Sequence, residues 1–216
     1  MDYKNEKEVG RALKKSNLKR EELFITTKLH QTWHRPEDVE EALDRSLSNL
    51  GLQYGISNFN ILKTKRVLEV ARIRPAVNQV ELHPLLPQKE LVDYCHDQGI
   101  FVIAHQPLGG VPVEAVRGRA DVKPPLHHQY IHDIASRCGE TPAQVCLSWA
   151  VQRGIAVVPK TVNKERMREN LELTKLPDDA FEAVNKLVDK QGSVRFLDPS
   201  RHIGFDIFDE EQDQPV

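Results

Sequence analysis

Residues able to do chemistry gather at a few repeating points of this chain. Lys28 closes the apolar run that begins at Leu23. Asn78 and Gln79 lie within Pro75–Leu82, His105 and Gln106 follow Ile100–Ala104, and Lys160 and Thr161 follow Ile155–Val158. A fifth set, Ser57-Asn58-Phe59-Asn60, follows Gly55 and precedes a helix pattern. Any one of these could be a surface lysine or a capping asparagine. Five at corresponding places match the way an α/β fold collects side chains at one end of its strands. The last set is the richest in charge, because Arg166 falls in the first turn of the helix pattern after Thr161. Two cations, a hydroxyl and helix N–H groups can hold an anion; a solvated basic turn is the alternative. His127, His128 and His132 include an i,i+4 pair that a helix could present to a metal, but no carboxylate completes the set. We read them as surface residues and expect no metal. His83, before Pro84, reads as a hydrogen-bonding group at a strand end.

These positions require strands that alternate with helices. Strand patterns cover Leu23–Leu29, Pro75–Leu82, Ile100–Ala104 and Ile155–Val158, each rich in β-branched or aromatic residues. Helix patterns cover Glu6–Lys15 (with Val9, Ala12 and Leu13 on one face), a stretch opened by Pro36, and Gln88–His96, closed by Gly99. Others follow at Tyr130–Cys138, Pro142–Gln152 and Lys164–Leu173, and a last one runs from Pro177 through Val188. Such alternation predicts an α/β fold with parallel strands buried on both faces. No Gly-x-Gly-x-x-Gly follows a strand, which argues against a Rossmann site and favours a (β/α) barrel. Four convincing strands fall short of the eight that a closed barrel needs.

Composition narrows the classes further. The 216 residues carry 30 basic and 32 acidic side chains, a formal net charge of −2, so no bulk field recruits nucleic acid or anionic lipid. No apolar run approaches the roughly 20 residues of a membrane span. The N-terminal residues are charged and lack a signal-peptide core. Cys95, Cys138 and Cys146 show no Cys-x-x-Cys spacing and cannot all pair. A soluble protein of a reducing, cytoplasmic interior is the expectation, with one domain over residues 1–216.

Several stretches, taken in order, resemble the aldo-keto reductase family. They are Tyr3-x-Asn5-Glu6-x-x-Val9-Gly10, Leu23-Phe-Ile-Thr-Thr-Lys28-Leu29, Gly55-Ile-Ser57-Asn58-Phe-Asn60, Asn78-Gln79-x-Glu81-x-His83-Pro84, Gln106-Pro-Leu-Gly109, Ala143-Gln144-Val145 and Val158-Pro159-Lys160. Gly204-Phe-Asp-Ile-Phe208 with its acidic tail is similar to fungal members. The resemblance implies a (β/α)8 TIM barrel and reversible NADPH-dependent reduction of aldehydes and ketones, with NADP(H) as cofactor and a small carbonyl compound as partner. It implies Tyr3 as general acid and Lys28 as the cation that lowers its pKa. Ser57, Asn58 and Gln79 would hold the nicotinamide carboxamide. His105 takes the place of the family's ring-stacking tyrosine. Lys160, Thr161 and Arg166 would hold the 2′-phosphate, and Glu169 and Asn170 the adenine end.

The same resemblance exposes two gaps. The family's aspartate precedes its tyrosine by several residues, and Met1 stands two residues before Tyr3. After Leu50-Gly-Leu-Gln-Tyr54 the family continues through a strand ending in its catalytic histidine, then a helix and another strand. Here Tyr54 runs straight into Gly55-Ile-Ser-Asn58. At about 31 residues per βα unit, this omits on the order of 45 residues. The expectation is therefore an incomplete barrel, monomeric if folded, marginally stable and impaired in turnover. The alternative is a non-catalytic NADP-binding or partner-binding remnant, a product of splicing or of an incorrect gene model.

Overall fold

A computed structural model describes residues 6–16, 55–72, 74–110, 112, 114, 121–200 and 208. Tyr3, the strand pattern around Lys28 and the helix opened by Pro36 lie outside these residues. Helix α1 spans Glu6–Lys15, as its periodicity predicts. Its expected inner face is only partly covered: Gly10 is buried and Leu13 half-buried, whereas Val9 and Ala12 are exposed.

From Gly55 onward, strands and helices alternate. The order is β1 (Ile56–Ser57), α2 (Ile61–Val70), β2 (Val77–Glu81), α3 (Lys89–Asp97) and β3 (Phe101–His105), then a 3-10 turn (Pro125–His127). There follow α4 (Gln129–Cys138), α5 (Pro142–Gln152), β4 (Ala156–Val157), α6 (Lys164–Glu169), α7 (Asp178–Asn185) and α8 (Leu187–Gln191). The four strands form one sheet in sequence order, and every neighbouring pair is parallel. This is the run of consecutive βα units that a (β/α) barrel is built from, and among the described residues it has four strands.

Side-chain alternation divides β2 between two environments. Val80 and Leu82 join a large apolar core with Leu91, Val92 and Cys95 of α3, Val102 and Ala104 of β3, and Trp149 of α5. Gln79 and Glu81, one residue out of phase, occupy the opposite face. Helix α5 is apolar nearly all round, and its residues Gln144–Ala150 are buried, so it sits between the sheet and the later helices. Thr141 and Gln144 close its start as a reciprocal capping box, which satisfies two backbone donors at once. Trp149 Nε1 donates to Asn185 Oδ1 at 2.7 Å, tying α5 to α7. Gly55 permits the close approach of β1 to β2: a Cβ there would collide with the Val77 side chain and lie 3.2 Å from its carbonyl oxygen.

Two predicted helices end differently. The run expected over Lys164–Leu173 stops at Glu169, where the chain turns so that the Glu172 carbonyl accepts from Gln144 Nε2 at 3.0 Å. The helix expected from Pro177 through Val188 is two, separated at Lys186. In both places contacts to another helix or a change of axis override local periodicity, which cannot register either.

Candidate functional site

The C-terminal ends of β1, β2 and β3 bring Ser57, Asn58, Gln79 and His105 together. Register sets Ser57 opposite Gln79 and Gln79 opposite Ile103, with Glu81 opposite His105 one row higher. Ser57 Oγ donates to the Gln79 carbonyl at 2.8 Å, and Asn58 N–H donates to the same oxygen at 3.0 Å. Asn58 has φ +60, a left-handed conformation that asparagine tolerates better than most residues. That turn carries its side chain to His105, whose Nε2 lies 3.0 Å from Asn58 Oδ1. Ser57 and Gln79 are buried, while His105 is half-buried. On the other face of β2, Asn78 Nδ2 donates to the Phe59 carbonyl at 2.8 Å and braces the loop that follows Asn58. The result is a cradle of amide and imidazole groups held by a hydrogen-bonded backbone.

Beside it a cleft of about 370 Å³ opens between the starts of α2 and α3, with Asn58, Asn60, Gln88, Arg195 and Phe208 among its lining residues. Asn60 caps α2 by accepting from Lys63 N at 2.8 Å. The Arg195 guanidinium lies over the Phe208 ring, 3.6 Å from its centroid.

Lys160, Thr161, Arg166, Glu169 and Asn170 form a second group, around the exit of β4 and along α6. Lys160 and Arg166 are exposed, and Thr161, Glu169 and Asn170 are half-buried. The helix start differs from the expectation of open N–H groups: Asn163 Oδ1 accepts from Glu165 N at 2.9 Å and Arg166 N at 3.0 Å. An anion here would therefore meet side-chain charge and the Thr161 hydroxyl more than bare helix amides. Thr161 Oγ1 itself accepts from Asn163 N at 3.1 Å. Asn170 is the C-cap of α6, with its N–H toward the Arg166 and Arg168 carbonyls. Tyr3 and Lys28 lie outside the described residues.

Sequence reasoning assigns no role to Glu81. Glu81 is fully buried, and its carboxylate accepts from Phe196 N at 2.7 Å and Leu197 N at 2.9 Å. His83 Nε2 approaches the same carboxylate at 2.9 Å. Burial pushes the Glu81 carboxyl upward, but the His83 contact and the two backbone donors outweigh it and hold the group below its ordinary value. Burial lowers the His83 pKa despite the neighbouring carboxylate. His83 Nδ1 has no hydrogen-bond partner. A neutral imidazole donating from Nε2 suits that arrangement, because protonation would bury a second N–H with no acceptor. The available signal is an acid in a strand pattern, in phase with Gln79 and two residues before a histidine.

The remaining candidates resolve simply. Burial pushes the Cys95 thiol up to about 11, against a small lowering by Asn78, and the Cys146 thiol up to about 12. Both are poor nucleophiles at neutral pH. His128 Nδ1 accepts from Tyr130 N at 3.2 Å at the start of α4, and His132 Nε2 contacts the Leu126 carbonyl at 3.1 Å. Among the described residues no cluster could hold a metal ion, and no helix is long and apolar enough to cross a membrane.

The chain matches the Aldo/keto reductase family in two pieces, over residues 2–54 and 52–189. It is 34% identical over 259 residues to aldehyde reductase YPR1 of Saccharomyces cerevisiae, covering 91% of this chain and 79% of the relative. It is also 34% identical to the NADPH-dependent D-xylose reductase of Meyerozyma guilliermondii, covering 86% of this chain and 80% of that one. Because 91% of 216 residues is about 197, an alignment of 259 positions leaves about 62 of them without a counterpart in this chain. Among solved structures, the aldose reductase of Giardia lamblia superposes with a TM-score of 0.73 at 27% identity, covering 96% of this chain and 87% of that one. The aldo-keto reductase AKR2E5, in complex with NADPH, gives 0.70 at 30% identity, covering 98% of this chain and 76% of that one. The sequence motifs, the parallel βα order and these matches agree: the chain belongs to the aldo/keto reductase family, whose TIM-barrel fold it carries in incomplete form.

Proposed function

We propose that this chain binds NADP(H) and carries out the reduction of aldehydes or ketones to alcohols, as a single domain over residues 1–216. The observation that carries the reading is the cradle at the ends of β1–β3, where Ser57, Asn58, Gln79 and His105 converge on one strand-end face. Its donor set suits a primary carboxamide, which offers one acceptor and two donors. Asn58 Nδ2 and the Gln79 side-chain amide supply both complements. His105 presents a flat ring that can stack on a nicotinamide, over less area than a tyrosine. Lys160, Thr161 and Arg166 would hold the 2′-phosphate, and Glu169 and Asn170 the adenine end. The bound nicotinamide supplies the hydride.

The protein's own task is to orient the carbonyl and deliver a proton to its oxygen. Tyr3 is the proposed proton donor, and Lys28 the cation that favours its phenolate. The family match restarts at residue 52, where Tyr54 adjoins Gly55. That junction has no room for the strand ending in the family's histidine, an orienting group whose loss lowers rates by about 10²–10⁴-fold. We therefore propose impaired turnover. The two-piece match also favours a second reading, an NADP-binding protein with no turnover. A cytoplasmic, monomeric protein with no nucleic-acid partner is proposed on charge and composition.

Titration of the purified chain with NADPH and NADH, followed by aldehyde-dependent NADPH oxidation, separates the readings. Tight NADPH binding with slow oxidation supports the first reading, and binding without oxidation supports the second. No preference for NADPH over NADH overturns the phosphate assignment.

A further inference from the structure

Resting on that reading, we infer that Glu81 is a positioning residue for the carbonyl side of the site, acting through the segment Arg195–Leu197. Period-two alternation puts Glu81 on the same strand face as Gln79, about 7 Å farther along. Its register partner is His105, the ring proposed to face the nicotinamide. The carboxylate therefore stands in the row of His105, one step beyond the row of Ser57 and Gln79. There it accepts the backbone N–H groups of both Phe196 and Leu197, at 2.7 and 2.9 Å. Two successive amides bonded to one rigid acceptor fix the direction of the segment as well as its place.

The surroundings leave that carboxylate little freedom. His83 bonds the same oxygen as Phe196 N and tilts against the Phe196 ring, with centroids 5.1 Å apart. Phe196 is buried, and its ring reaches Gly109 in the loop after β3, where a Cβ would come within 3.1 Å of it. Val194 N donates to the Leu85 carbonyl at 2.8 Å, anchoring the segment's approach. Held at the end of β2 by these bonds, the segment sets Arg195 in the wall of the cleft that Asn58 shares. An apolar core would be served by leucine at position 81. A buried carboxylate aimed at two backbone donors is explained by the segment it holds.

The groups proposed for the cofactor's phosphate and adenine lie around β4 and α6, and the bonds Glu81 makes to His83, Phe196 and Leu197 involve none of the residues proposed to hold the nicotinamide. Loss of the clamp should therefore weaken the carbonyl ligand and spare the cofactor. The test compares the unmutated chain with Glu81→Gln, which keeps the side chain's size but only one acceptor oxygen. Leu197→Pro removes one donor and leaves the carboxylate in place, so the test survives if the first variant fails to fold. Hydrogen exchange should speed up at least tenfold at Phe196 and Leu197 in Glu81→Gln, and at Phe196 in Leu197→Pro. NADPH affinity, by fluorescence titration, should stay within twofold. Affinity of the NADPH complex for benzaldehyde should fall at least fivefold, read as KM rather than kcat where turnover is measurable. Unchanged exchange overturns the clamp. Faster exchange with unchanged benzaldehyde affinity overturns its role at the carbonyl site, as does an equal loss of NADPH and benzaldehyde affinity, which marks a merely structural residue. If the unmutated chain binds no NADPH, the proposed function and the carbonyl-site role fall together, while exchange still decides whether Glu81 holds the segment.

Discussion

The cradle at the ends of β1–β3 and the basic group around β4 and α6 serve one proposed ligand by opposite physical means. In the cradle, Ser57 and Gln79 are buried, adjacent strands supply the backbone, and side chains such as Ser57 and Asn78 are spent on bracing it. Around α6, Lys160 and Arg166 are exposed, no residue of the helix is buried, and Val162 and Leu171 are 80% and 85% exposed. On the proposed reading the cradle would recognise its ligand by shape and by matched donors and acceptors, which requires its geometry to be fixed beforehand. The basic group would recognise by charge, which acts over several ångströms and tolerates loose placement. A dinucleotide can thus be selected at one end by fit and at the other by charge.

The largest test of this contrast is in packing. Phe59 lies buried beneath the cradle with Ile56 and Val67, so Phe59→Ala should destabilise the chain by about 3–5 kcal/mol. Val162→Ala, at the exposed end, should change stability by less than about 0.5 kcal/mol in the same urea titration. Comparable losses would show that the two ends are equally well built. Next comes the phosphate contact. Arg166→Ala should weaken NADPH binding by about 1.5–3 kcal/mol, the range for a hydrogen bond to a charged group, and leave NADH almost unaffected. Raised salt should diminish the difference between the two cofactors, and a salt-independent preference would place recognition elsewhere.

A smaller effect is expected inside the cradle. Ser57→Ala removes one buried hydrogen bond to the Gln79 carbonyl, which still accepts from Asn58 N–H. A stability loss of about 0.5–1.5 kcal/mol should follow, along with weakened binding of both cofactors alike. Selective loss of NADPH would reverse the division of labour. Smallest is the cap of α6: Asn163→Ala should cost about 0.5 kcal/mol, the low end for a helix cap, because nothing is buried on that helix. A larger loss of NADPH affinity in this variant would mean that the cap orients Arg166 rather than merely starting the helix.

Much of the architecture was legible in residue order. The bounds of α1 and α5, the glycine stop after α3 and the parallel sequence of β2, β3 and β4 follow from short-range patterns and caps. Period, proline, glycine and β-branching act within a few residues of themselves, so one sequence displays them openly. The strand-end residues of the candidate site were legible for the same reason: a polar side chain at the close of an apolar run is a local event. The family resemblance supplied their roles and located the break beside Tyr54, where the family match also divides.

Tertiary structure alone decided what depends on distant pairs. Helix α6 ends early where Gln144 takes a carbonyl 28 residues away, and Asn58 meets His105 across 47 residues. Glu81 finds its donors 115 and 116 residues along the chain. No window of sequence holds both partners of such a bond. The sequence by itself determined which groups could donate, accept or carry charge, because those properties belong to single side chains. Only the packed sheet determined which of them meet, because a buried carboxylate is stable where the fold delivers its donors and nowhere else.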